Sequence, residues 1–198
     1  MHAKRHSFPG FEAALSRFQA EYPDYSKTAI LGSLRARYYR YLDSEGLVYL
    51  DYAGGGPCVS VARIGEEQLR RIGPEMIQQR VFILTSWLRK SLLALRHDNS
   101  RPLARFQGGG EASMRDGILT MDFLDPDETP FDMRRVGRLA SESNICMRAL
   151  CFRDSNGADS GGEATAACVS LGLVSNFNDV YKFSEFARRF LNMPAGAV

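Results

Sequence analysis

Arg148 and Cys151, a cation and a thiol three residues apart, are the residues of this chain whose types and spacing offer chemistry. They lie within residues 144–158 (NICMRALCFRDSNGA), whose first half alternates as a strand and whose second half is a polar, glycine-bearing loop. They stand where the strand runs out into the loop, so a cationic head and a thiol are offered at a sheet edge. Cys151 can act as a nucleophile if Arg148 and Arg153 lower its thiol pKa. The plainer reading is an arginine left at a strand end, paired with a loop acid such as Asp154, beside a half-buried thiol. A second stretch, Asp51-Tyr52-Ala53-Gly54-Gly55-Gly56-Pro57, has three consecutive glycines that permit tight turning and close backbone approach. It is equally a hinge before a proline-started helix. It is neither a GxGxxG fingerprint nor a P-loop, so phosphate binding does not follow from it.

The bulk numbers exclude several classes. Of the 198 residues, 44% are hydrophobic and 24% charged, ordinary values for a globular protein. With 25 basic and 23 acidic residues the net charge is +2, which implies no electrostatic partner. Lysine is scarce, being confined to Lys4, Lys27, Lys90 and Lys182, and a Schiff-base enzyme needs one particular lysine. The cysteines Cys58, Cys146, Cys151 and Cys168 form no CxxC and have no His or Asp cluster beside them, which argues against zinc. The opening MHAKRHSF has no apolar centre, and no apolar run approaches the ~18–20 residues of a membrane span. No membrane partner and a reduced, cytoplasmic setting are therefore expected. A basic, tyrosine-rich helix over 28–42 carries Arg35, Arg37 and Arg40; these are read as a solvated face, with no nucleic-acid partner.

The elements that must position these residues follow from periodicity. Residues 8–20 and 28–42 have helical spacing, and 47–50 form a short strand leading into the glycines. Residues 66–96 form the longest helical pattern, interrupted at Gly73-Pro74. Strands are predicted at 103–106 and 118–124, the latter with Leu119, Met121 and Phe123 on one face. A helix at 132–143, the strand of residues 144–150, a strand at 166–171 and a final helix capped by Ser175 or Asn176 complete the order. The expected fold class is α+β: a helical N-terminal segment packed on a mixed-sheet small domain, with helices mainly on one face. Residues 1–65 form the N-terminal segment and 66–198 the small domain, together one compact unit.

With these elements placed, VYLDYAGGG (48–56) resembles the opening motif of class V, fold-type I pyridoxal-phosphate enzymes, which often read YLDxAxx. The likeness is greatest to the branch of aminotransferases and cysteine desulfurases that contains the molybdenum cofactor sulfurases. Residues 71–97 resemble the helix opening that family's small domain, and 123–149 and 169–190 its strand–helix and closing-helix units. The family carries a large cofactor-binding domain between these parts, including the Schiff-base lysine. Here Ala62 and Arg63 pass directly to Ile64-Gly65-Glu66. The resemblance implies pyridoxal phosphate in the family and no cofactor in the isolated chain. Aligned on the desulfurase pattern RTGxxC, the nucleophile position holds Arg153 and the glycine is Leu150; Cys151 matches a cysteine that some members have two places earlier. Arg148 keeps a substrate-site position, whereas the later carboxylate-binding arginine is replaced by Ala166, Ala167 and Cys168.

The resemblance therefore implies a truncated, catalytically silent relative that acts as an interaction or regulatory module. The alternatives are a subunit that complements a large domain to form an aminotransferase or desulfurase, and a sulfur-accepting thiol at Cys151. Substrate binding falls to Arg148, Tyr52 and Ala53. Cofactor approach falls to Gly54 and Gly55, and only with a partner large domain. Partners are a second copy in a homodimer or a complementing pyridoxal-enzyme subunit.

Overall fold

The computed structural model describes residues 10–55, 72–107, 117–152 and 164–197, leaving aside the side chains of 150–152 and 164–165. The expectations for Lys4, Gly56, Cys58, the helix over 66–71, Arg153 and Asp154 lie outside those residues. Six α-helices are described: α1 Phe11–Glu21, α2 Ala29–Tyr38, α3 Arg40–Ser44, α4 Pro74–Leu93, α5 Met133–Glu142 and α6 Phe177–Arg188. The strands are β1 Val48–Tyr49, β2 Ala104–Phe106, β3 Ile118–Phe123, β4 Ile145–Cys146, β5 Arg148–Phe152 and β6 Ala164–Ser170. Strands β2-β3-β6-β5 form an antiparallel sheet in that order, and β1 and β4 pair in parallel beside it. The fold class is α+β, and the two kinds of strand pairing are divided between two sheets.

Local chemistry explains the boundaries. Gly73 stands at φ 72°, a backbone setting that suits glycine, and Pro74 opens α4 immediately after it. The helix expected over 28–42 is broken at Tyr39, whose φ −126° and ψ 24° separate α2 from α3. Asn176 caps α6 through a reciprocal capping box with Asp179. The strand expected through residues 144–150 is two strands: β4 belongs to the parallel pair, Met147 lies between, and β5 belongs to the four-stranded sheet.

Register divides the four-stranded sheet into an apolar and a polar face. Met121 and Ala149 both stand opposite Ala167, and Leu119 stands opposite Val169, so these residues share one face. Helix α5 covers that face, Gly137 lying against Ala149. The other face carries Arg148 and Thr120 opposite Cys168, Asp122 opposite Arg105, and Ser170.

One hydrophobic cluster joins the N-terminal segment to the rest, with Phe18, Val48 and Leu50 packed among Leu84, Leu88, Val180 and Phe183. Phe177 is its aromatic pivot, stacked 4.4 Å from Phe18 and edge-on 4.8 Å from Trp87.

The solvated-face reading of Arg35 is corrected by the structure. Arg37 and Arg40 are exposed, but Arg35 is buried and all five of its N–H groups find acceptors. Its Nη1 donates to Asp179 Oδ2 at 2.6 Å and to the Val174 carbonyl at 2.7 Å. Nη2 reaches Asp179 Oδ1 at 3.1 Å and Asp43 Oδ1 at 2.9 Å, and Nε donates to Asp43 at 3.0 Å. Burial opposes the Arg35 cation, yet the two carboxylates outweigh it and hold its pKa above the ordinary value. A single cation thus ties α2 and α3 to α6.

Replacing Arg35 with Met strands the buried Asp179 carboxylate and is expected to cost about 3–5 kcal/mol in urea denaturation. Adding Asp179→Asn should recover about 1 kcal/mol or more through coupling. Strict additivity of the two changes would show that the pair is not coupled.

Candidate functional site

The glycine motif folds against the polar face of the sheet. Residues Tyr52–Gly54 make a single 3-10 turn, closed by Gly54 N–H to the Asp51 carbonyl at 3.1 Å and Gly55 N–H to the Tyr52 carbonyl at 3.2 Å. Gly55 has φ 129°, so of the motif's two described glycines the positive-φ position is Gly55 and not Gly54. Two contacts dock the turn on the end of β6. Asp51 bridges Ser170 in parallel fashion, and the Ala53 N–H donates to Ser170 Oγ at 2.8 Å.

Tyr52 supplies the depth of the docking. Its hydroxyl accepts a hydrogen bond from the Val174 N–H at 3.3 Å, and its ring lies on Gly172. A Cβ on Gly172 would stand 2.1 Å from a ring carbon of Tyr52, so only glycine leaves room for the ring. Burial, followed by the nearby Asp179 carboxylate, raises the Tyr52 pKa above the ordinary phenol value and keeps it protonated. Tyr52 therefore serves as a seat for the turn, with its hydroxyl already engaged.

Arg148 begins β5 on the same polar face and meets the turn from the sheet side. Its Nη2 pairs with Asp51 Oδ2 at 3.2 Å, and both groups lie against Gly54 Cα. The acid that answers Arg148 is thus Asp51, supplied by the glycine motif itself. Asp51 Oδ1 is buried and accepts no hydrogen bond among the described residues. Arg148 keeps 42% of its side-chain surface exposed and Asp51 only 19%, so the pair sits half open at the edge of the turn.

Two thiols flank this pair. Burial, with Asp51 adding to it, pushes the Cys146 and Cys168 thiols above the ordinary value, while Arg148 opposes the shift. Both are thus held as thiols, the weaker nucleophilic form. Cys151 lies inside β5, its backbone opposite Thr165. Three residues along a strand is an odd spacing, so the Arg148 and Cys151 positions belong to opposite faces. The structure brings together Tyr52, Ala53, Gly54, Gly55 and Arg148, and Cys151 does not share their face. Sequence reasoning does not single out Asp51, Ser170, Gly172 or Val174. Asp51 carried a signal as the acid of the YLDxA motif; the others contribute through backbone or packing that side-chain type does not announce.

The described lysines stand apart from the pair. Lys27 pairs with Asp24, Lys90 with Glu21, and Lys182 points its Nζ at the Gly46 carbonyl. Among the described residues no His, Cys, Asp and Glu cluster of three or more could hold a metal, and no helix is long and apolar enough to cross a membrane.

Gly172→Ala is expected to unseat the Tyr52 ring and cost about 1–3 kcal/mol in chemical denaturation, as overpacking does. Gly54→Ala meets only the ends of two flexible side chains and should stay within about 1 kcal/mol while parting Arg148 from Asp51. Equal costs for the two would contradict the assignment of Tyr52 as the seat of the turn and of the ion pair as its open edge. A second expectation concerns Cys146, followed by iodoacetamide alkylation with Cys58 and Cys151 changed to Ser and Cys168 to Ala. Asp51→Asn should lower its apparent thiol pKa and Arg148→Gln should raise it; no movement, or the opposite signs, would remove the pair from the thiol's surroundings.

The chain matches no family model. It is similar to molybdenum cofactor sulfurase of Arabidopsis thaliana, with 27% identity over a 166-residue alignment. That alignment takes in 67% of this chain and 20% of the relative, so the chain spans about a fifth of the length of the curated protein it matches. The comparison establishes a distant, partial relationship to molybdenum cofactor sulfurase.

Proposed function

We propose that this chain is a catalytically silent relative of the class V pyridoxal-enzyme small domain, serving as an interaction or regulatory module. The observation that carries the reading is the closure of Arg148 on Asp51 against Gly54. In the family this arginine position faces substrate. Here its charge is met from within, by the acid of the chain's own opening motif.

The described residues fit pyridoxal phosphate poorly. A Schiff base needs a lysine amine at the site, and Lys27, Lys90 and Lys182 are each engaged elsewhere. The two thiols beside the Asp51–Arg148 pair are held protonated, which supports neither a desulfurase nucleophile nor a sulfur acceptor at that place. These engagements support the silent reading of the site.

The test is an absorbance scan of the purified chain with added pyridoxal phosphate, then borohydride reduction and intact mass. The expected result is no aldimine band and no stoichiometric adduct. One adduct on a single lysine would overturn the silent reading. A band that forms only when the separate large domain of a relative is added would replace it with the complementing-subunit reading.

A further inference from the structure

A groove of about 520 Å³ lies on the side of the molecule formed by α5 and the end of α6. Its volume falls within the range of small-ligand sites. Leu139, Phe190 and Met193 make an apolar floor, and Arg135, Arg138 and Arg189 stand around it with Glu142 as the one acid. The sequence places them there simply. Arg135 and Arg138 are three residues apart on α5 and so share one side of the helix, with Leu139 next to them on the inward side. Arg189 is the C-cap residue of α6.

These arginines are set apart by their place: other described arginines, such as Arg37 and Arg40, also lack a carboxylate, but these three stand around one apolar floor. Arg35, Arg105, Arg148 and Arg188 each meet a carboxylate. Arg135, Arg138 and Arg189 have no such partner among the described residues, and Arg138 forms no ion pair with Glu142 four residues on. Arg189 is nevertheless oriented: its Nη1 donates to Ser143 Oγ at 3.0 Å and its guanidinium lies 5.8 Å from the Phe186 ring centre. The far wall is fixed as well, since the Ala195 N–H donates to Asp125 Oδ2 at 3.0 Å and holds the turn that carries Ala197. Uncompensated guanidinium groups around a formed apolar floor attract an anion that also has an apolar body. Phosphate suits them best, because a phosphate monoester carries about −1.5 to −2 charge on three terminal oxygens and can engage two guanidinium groups at once, where a carboxylate brings one charge and two oxygens.

The geometry points to this groove as a binding site for a small organic phosphate, its apolar body on Leu139, Phe190 and Met193 and its phosphate between Arg135 and Arg138. The site lies outside the Asp51–Arg148 pair and stands or falls independently of the silent reading of that pair.

Calorimetric titration of the full chain with naphthyl phosphate tests it, with inorganic phosphate and naphthol titrated separately. Naphthyl phosphate should bind about tenfold or more tightly than either control, since both halves of the ligand are used. Arg135→Gln with Arg138→Gln should cut its affinity at least about tenfold and flatten its salt dependence. Both arginines are exposed, so the double variant is expected to keep the parent's thermal melt, which is measured alongside. Unchanged affinity in a folded double variant would overturn the assignment. So would inorganic phosphate binding as tightly as naphthyl phosphate, which removes the floor, or naphthol doing so, which removes the cations. If the double variant fails to fold, Arg135→Lys with Arg138→Lys keeps the charge and removes the bidentate geometry. A loss of affinity in that pair supports the site, and full retention overturns it.

Discussion

The described structure hangs on the buried guanidinium of Arg35. Taking this cation and the Asp179 carboxylate out of water costs several kcal/mol per ion, and only near-complete pairing offsets that. Every N–H of Arg35 is matched, and Asp179 takes a further hydrogen bond from the Asn176 N–H at 3.0 Å. What the pair contributes is geometry. It sets α2 and α3 against the start of α6 and fixes the Val174 carbonyl between them. The N–H of that same residue holds Tyr52, and Tyr52 seats the glycine turn that brings Asp51 to Arg148. A charge buried in the N-terminal helices thereby governs an ion pair at the sheet edge.

The sheet separates two tasks. Its apolar face, built from Ala149, Ala167, Val169, Leu119 and Met121, packs under helix and supplies cohesion. Its polar face holds Arg148, Cys168, Asp122 and Ser170; Arg148 and Asp122 stand in ion pairs, and Ser170 accepts from the Ala53 N–H. Among the described arginines without an acid, Arg135, Arg138 and Arg189 gather around the groove beside α5.

How much of this was legible in the sequence varies with the physics involved. Periodicity gave the helices and β3 because burial repeats along one side: Leu119, Met121 and Phe123 alternate, and Val180, Phe183, Phe186 and Phe190 recur at helical spacing. Asn176 showed its cap through its side-chain type. Arg35 reads as solvated in the sequence because it stands with Arg37 and Arg40 on one expected helix, and its partner Asp179 lies 144 residues away. The Arg148–Asp51 pairing spans 97 residues and was equally hidden, so a nearer acid was nominated in its place. The split into β4 and β5 was missed because alternation carries no mark of which sheet a strand joins. Within the candidate site, the motif showed which residues gather, and only the fold showed that the cation is already occupied.

Met147 alone carries the chain from the parallel pair into the four-stranded sheet. This makes the crossing a counter of parity. Strand β4 is anchored to β1 through Val48 opposite Ile145, and β5 is anchored to β6 through Arg148 opposite Cys168. One residue more or fewer between those anchors would turn every β5 position to the other side, placing arginine under helix and alanine towards the glycine turn. Drift in side chains at the site is therefore compatible with this architecture, while a change of length at that single joint is not. Related chains that keep the architecture should vary in composition here and hold their count.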